Sequence, residues 1–368
     1  MRNRIKRLQK VDDIIYNLNK QISLTNLYPV NISEEKEKFF KDEKYNPQFE
    51  YSVPKVDFKD SYRKIKSLKF KDNIMDKLLK EKARETYYLL KLIENIGKKR
   101  FTNYSKKVYG EPEKSLIKKA EKLALCEECR IYEPKRKLPT KKALLKFKRV
   151  FKELNINWEV VDDEIASKAL VLPTRRKLVI KKDSNFSQRE IKRFIVHEIY
   201  THILRAEFGL MQPYKVFSVG LAGYEETEEG LALYKEKRAG VLDNRSLRGY
   251  ATRVLAVEKA LNGSFREVFN FLNKYFGKEK AWDVAVRVKR GLKDTKEPGA
   301  FTKDMIYFSG YLKVKNFIKN QSGLHLLHYG KIGIQHALLI PSIEGLKNPF
   351  IVLKEGFKTD ISKLSLLY

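Results

Sequence analysis

The sequence predicts an α+β protein that is mainly helical, with a helical N-terminal region over residues 1–125 and a second part with a small β-sheet over 126–368. Three observations carry this reading. Apolar residues recur at helical spacing from about Asp57 to Ala124, as in "IMDKLLKEKARETYYLLKLIENI". Three short β-prone stretches, "NWEVV", "KALVL" and "KLVIKK", then follow one another closely. A capped, periodic helix begins directly after them.

In chain order, Gly and Pro are scarce through the first helical stretch until "YGEPEKS" interrupts it. The segment "CEECRIYEPKRKLPTKK" brings prolines and a basic run, which marks a boundary or exposed connection. It holds both cysteines of the chain, Cys126 and Cys129, too few for a disulfide framework. A lone CxxC is half of a zinc ribbon, so this pair is expected to be ordinary thiols. A helix is expected across "KKALLKFKRVFKELN", and the β-prone stretches come next. In "FSQREI", Ser187 can cap a helix while Glu190 reaches back to it and Phe186 packs on Ile191. That helix should run to about Gly209, with Ile191, Ile195, Ile199 and Ile203 forming its apolar stripe.

Composition limits the function classes. The 368 residues are 42% hydrophobic and 12% aromatic, enough for a substantial core and against wholesale disorder. No apolar run reaches the roughly 18–20 residues of a membrane span, and the first twenty residues lack the apolar stretch of a signal peptide, so the expected compartment is the cytoplasm. Lys and Arg total 77 against 46 acidic residues, a formal charge of +31 that attracts polyanions. An acidic protein tail and nucleic acid are both compatible with that charge. The basic residues are interspersed with Glu rather than gathered in one tract, which favours a solvated surface over a nucleic-acid arm.

The capped helix contains "HEIYTH", His197 to His202. Histidines four apart point off one helix face, but five apart they differ by about 140° around the axis. One inserted residue, a π-type turn, restores the alignment. A metal site here therefore requires a distorted helix. Glu198 follows the first histidine, where a metalloprotease keeps its general base. Downstream, "GLAGYEETEEGLALYKE" offers further carboxylates, and Thr227 as an N-cap would place Glu229 in a helix's first turn as a candidate third ligand. Two His and one Glu leave a fourth position open, the arrangement of a catalytic zinc site.

The run "HEIYTHILRAEFGLMQPYKVFSVGLAGYEETEEGLALYKEKRAG" resembles the metallopeptidase family whose bacterial members carry a "QEGLA" motif and whose animal members are the microtubule-associated tyrosine carboxypeptidases. The resemblance extends through "PVNISEEKEKFFKDEKYNPQFEY", "YGEPEKSLIKKAEKLA", "RVKRGLKDTKEPGAFTKDMIYFSGYLKV" and "HYGKIGI", nearly the whole chain after residue 30. It implies a zincin-like core in which His197, His202 and Glu229 bind Zn2+, Glu198 acts as base, and Glu226 orients a histidine from behind. The motif's Gln is Glu228 in this chain, which sets a second carboxylate beside the ligand. The block "FTKDMIYFSG" implies Tyr307 and Lys303 as donors to a developing oxyanion. A bidentate Arg suits a substrate's terminal carboxylate, with Arg175 and Arg176 or Arg287 and Arg290 as candidates. His325, His328 and His336 receive no role and are expected at the surface or in the core.

The expected function is thus a zinc metallocarboxypeptidase that removes a C-terminal residue, with tyrosine or another aromatic as the candidate, from an acidic protein or peptide tail. The alternative is a basic nucleic-acid or polyanion-binding protein with a structural or regulatory metal site.

Overall fold

A computed structural model describes residues 2–124, 137–165, 167–321 and 323–349, so Cys126 and Cys129 lie outside the described residues. The described N-terminal region is helical, with helices at Arg2–Gln21, Ile32–Lys41, Phe58–Ser67, Ile74–Glu94, Phe101–Tyr109 and Lys114–Ala124. Side-chain caps start two of them, since Asp57 accepts from the Asp60 N–H and Asn73 from the Asp76 N–H. No described helix is long and apolar enough to cross a membrane.

The N-terminal helices share their cores with elements far along the chain. Phe39, Phe49 and Ala120 are buried with Trp282, Phe265 and Val254, and Leu8, Ile15 and Leu79 with Phe217, Leu231 and Val314. A separate cluster seats the helix Thr140–Glu153 and the sheet against Ile199 and Ile203.

The three β-prone stretches form one sheet. Lys177–Lys181 lies in its centre, parallel to Glu159–Asp163 and antiparallel to Ala169–Leu172. Ala169–Leu172 is therefore an edge strand. A short antiparallel pair, Lys137–Pro139 with Asn185–Ser187, had no signal in the sequence beyond a Pro and an Asn.

Ser187 caps the next helix, and both hydrogen bonds of the capping box to Glu190 are present. The helix runs as Gln188–Phe194, a π segment Ile195–Ile203, and Leu204–Leu210. The inserted turn expected from the histidine spacing is present. The second functional helix, Tyr224–Arg238, begins three residues before the expected cap. Gly223 takes a left-handed conformation (φ 68°) ahead of it, a turn that suits glycine, and Glu85 accepts the Gly223 N–H at 2.6 Å. Thr227 is thus not the cap; it lies inside the helix, where its hydroxyl accepts from the Ile334 N–H at 2.9 Å.

Two glycines bring this helix against Ile306–Gln321 without a spacer. A Cβ on Gly230 would lie 2.1 Å from the backbone carbon of Gly310, and one on Gly310 would lie 1.9 Å from the Glu226 carbonyl oxygen.

Candidate metal centre

The π segment turns His197 and His202 toward one another, with ring centroids 4.8 Å apart. Each ring is fixed from behind by a buried carboxylate. His197 Nδ1 lies 2.5 Å from Glu236 Oε1, and His202 Nδ1 lies 2.9 Å from Glu228 Oε1. An ionised carboxylate only accepts, so each Nδ1 carries a proton and each Nε2 is the ring nitrogen left facing forward.

Both Nε2 atoms face one oxygen. Glu229 Oε2 is 3.6 Å from His197 Nε2 and 3.8 Å from His202 Nε2. These separations are too long for hydrogen bonds, and that oxygen is buried with no hydrogen-bond partner. Two ligands of one tetrahedral zinc stand about 3.3 Å apart at ordinary zinc–ligand lengths. The Glu229 oxygen thus stands from each imidazole nitrogen at nearly the separation that a shared cation would set.

Electrostatics point the same way. Burial disfavours a charged His197, yet Glu198, Glu229 and Glu236 outweigh it and push its pKa well above the ordinary value. Burial would likewise raise the Glu229 carboxyl, but the two histidines and Lys303 hold it down to about 2. The pocket draws in positive charge, and a divalent cation fits its donor set. His197, Glu198 and His202 also each offer a ligand atom within 4.8 Å of one another. Proximity alone would therefore admit Glu198 as a ligand. We favour Glu229, because its orphaned oxygen faces both imidazoles.

These residues open on a cleft of about 390 Å³, lined also by the edge strand at Ala169, Leu170 and Val171 and by Tyr224, Lys303 and Tyr307. Tyr307 stacks on Tyr250, with centroids 5.4 Å apart and planes within 16°. Burial and the nearby Glu229 push its phenol well above 10, so it stays protonated. Lys303 pairs with Glu225 at the cleft wall.

Several expected residues stand elsewhere. Glu226 orients no histidine: it accepts from Ser309 Oγ at 2.6 Å and Lys313 Nζ at 2.7 Å on the neighbouring helix. Residue 226 lies about 60° around the axis from 229, and its carboxylate is taken by the neighbouring helix instead. Arg287 does not reach the cleft. It grips the buried Asp304 through Nε and Nη2 at 2.6 and 2.8 Å, while Arg290 stands 3.8 Å from the same carboxylate and over the Tyr28 and Phe301 rings. Arg175 ends an exposed short turn, and Arg176 pairs with Glu207 at 3.4 Å; neither lines the cleft.

The carboxylates that do hold the histidines were missed. Glu236 follows Glu229 by seven residues, two helical turns that keep both on one face, and that spacing was the available signal. Glu236 is fully buried and also accepts from Arg193 Nε at 2.8 Å. Glu228 had only its departure from the motif to mark it.

A family model described as microtubule-associated tyrosine carboxypeptidase matches residues 37–349. The chain belongs to this family. It is 29% identical to the Mus musculus protein MATCAP2 over 317 residues, which cover 83% of this chain and 53% of that protein. Microtubule-associated tyrosine carboxypeptidase 1 is 26% identical over 302 residues in Mus musculus, covering 79% of this chain and 56% of the relative. The Homo sapiens protein of that name is 25% identical over 302 residues, covering 79% and 55%. As a member of the tyrosine carboxypeptidase family, the chain spans only a little over half the length of these curated relatives.

Proposed function

We propose that this protein is a zinc-dependent carboxypeptidase that removes the last residue of an acidic protein or peptide tail. The observation that carries the reading is the buried, unpartnered Glu229 oxygen facing both imidazole Nε2 atoms. His197, His202 and Glu229 would hold the ion, within a core we read as zincin-like. Zinc bound there would supply Lewis acidity to the scissile carbonyl and to the attacking water.

The chain's own residues perform the proton work. Glu198 lines the cleft beside both histidines, takes the proton of the attacking water and passes it to the leaving amine. The Tyr307 phenol, protonated at neutral pH, donates to the oxygen that gains charge. The terminal carboxylate must sit about one residue, roughly 3.5 Å of chain, beyond the scissile carbon. Two cations line the cleft among the described residues, Lys303 and Lys331. Lys331 is buried on Glu228, so Lys303 is the one that meets the substrate. With three donors, it can keep Glu225 and still bind a carboxylate. The net charge of +31 supports an acidic tail, and the relatives' designation as tyrosine carboxypeptidases supports an aromatic last residue.

The test is to load the full chain with zinc and incubate it with acidic peptides ending in Tyr, Phe or Ala, each as free acid or amide. Mass spectrometry should find the last residue released from the free acids alone, and Glu198→Gln should keep zinc while losing about 100-fold or more of the rate. Internal cleavage regardless of amidation, or tight salt-sensitive nucleic-acid binding with no hydrolysis, would refute the reading.

A further inference from the structure

Where the π segment ends, a backbone N–H passes over its regular helical acceptor. In a regular α-helix the Leu204 N–H would bond to the Tyr200 oxygen, four residues back. Here it bonds to the oxygens of Ile199 and Thr201 and skips Tyr200. Tyr200 stands between the two histidines. Its oxygen instead accepts from Lys235 Nζ at 2.7 Å, a side chain with no solvent exposure on the helix that carries Glu229.

Lys235 is itself held. Its Nζ lies 2.9 Å from His328 Nε2, and His328 Nδ1 lies 3.0 Å from the Leu324 carbonyl. A carbonyl only accepts, so His328 carries its proton on Nδ1 and receives the Lys235 donor at Nε2. Burial and the Lys235 and Arg205 charges push His328 well below its ordinary pKa, which keeps the ring neutral. The segment from Leu324 to Ile332 does more behind the same helix. Its Leu327 and Ile332 carbonyls accept from Arg205 at 2.9 and 2.6 Å, and its Lys331 donates to Glu228 Oε1 at 2.5 Å.

We propose that Lys235, oriented by His328, is a positioning residue: it occupies the carbonyl that the Leu204 N–H passes over and so fixes the convergence of His197 and His202. This gives the "HYGKIGI" segment a task, since His328 and Lys331 both act from it on the histidine helix. The consequence for zinc rests on the metal-centre reading, whereas the brace itself can be tested without metal.

The experiment compares Lys235→Met, His328→Leu and His328→Gln in the full chain. A glutamine can accept from Lys235 and donate to Leu324, so it is the conservative rescue. In the metal-free proteins, hydrogen exchange should quicken about tenfold across residues 196–204 in Lys235→Met and His328→Leu, the scale of one lost hydrogen bond, with His328→Gln near wild type. With Co2+ as probe, the first two should bind about tenfold or more weakly and show altered visible bands, and His328→Gln should not. Leu272→Ala, a core truncation away from the helix, should lower Tm without changing the bands. Unchanged exchange at 196–204 in both Lys235→Met and His328→Leu overturns the brace whatever the metal does. So does a wild-type Co2+ spectrum in both. Normal brace behaviour with no Co2+ binding in the wild type would instead refute the metal centre.

Discussion

Gly230→Ala should destabilise the protein and loosen the metal site although alanine is the better helix former. Gly230 lies inside the helix Tyr224–Arg238, so the substitution removes backbone freedom and gains about 1 kcal/mol of helix propensity. The new Cβ, however, would stand 2.1 Å from the Gly310 carbon and 2.3 Å from its oxygen, both backbone atoms that no rotamer can move. Carbon contacts need about 3.5 Å, so the two helices must part by more than about 1 Å. Overpacking of this kind costs about 1–3 kcal/mol and sometimes more, which exceeds the propensity gain. Metal sites tolerate about 0.2 Å in ligand distance, and Glu229 is the adjacent residue. Calorimetry with and without zinc should show a Tm lower by several degrees and a smaller zinc-induced rise. Gly249→Ala is the contrast. It also lies in a helix, but its nearest neighbour would be the flexible Lys280 Nζ at 3.9 Å, so Tm should rise slightly. A Gly230→Ala protein with wild-type zinc content and a Tm at or above wild type would refute this reasoning.

Further outcomes follow from the same geometry. Glu229→Gln should lose zinc by metal analysis while Glu228→Gln retains most of it, though the latter leaves Arg205 and Lys331 without their anion and should cost about 3–5 kcal/mol of stability; the opposite zinc ranking would move the ligand by one residue. Lys303→Met should raise KM for free-acid peptides and erase the preference for them over amides, and an unchanged preference would place the carboxylate elsewhere. Asp304 is buried, which raises its carboxyl, but Arg287, Arg253 and Arg290 hold it well below the ordinary 3.8. A pKa depressed in the folded state stabilises above the unfolded value and is lost as pH falls, so Tm should drop below about pH 4. Asp304→Asn should lower Tm at pH 7 and flatten that acid limb, and an equally steep limb would show that other carboxylates carry it.

Local features of the fold were legible because their causes are local. The capping box at Ser187 and Glu190, the three sheet strands and the π-turn follow from patterns within a few residues, and five-residue histidine spacing leaves a helix only one way to bring both rings together. The partners of the charged groups were not legible, since they depend on which helix faces meet. Arg287 and Arg290 suit a carboxylate by type, but Asp304, in the turn Thr302–Met305, pairs with Arg287 and stands 3.8 Å from Arg290. Glu226 sits in the right motif but turns toward Ser309 and Lys313. The start of the Glu229 helix was misplaced because Thr227 is a good cap by type, while the turn is made by Gly223 and anchored by Glu85, far away in sequence.

The departure at residue 228 shows how a changed side chain can leave a site intact. Beside Glu229, a second carboxylate competes as a ligand only if one of its oxygens is free. Neither is. Glu228 Oε1 receives His202 Nδ1 and Lys331 Nζ, and Oε2 receives Arg205 Nη1. The added negative charge thus meets two buried cations, which together hold the carboxyl far below its ordinary range despite burial. A glutamine at this place would turn an NH2 group toward one of those donors, setting donor against donor. With Arg205 and Lys331 present, an acceptor-only side chain is the better fit behind His202. The same reasoning leaves Glu229, whose inner oxygen has no such partners, as the carboxylate available to a metal.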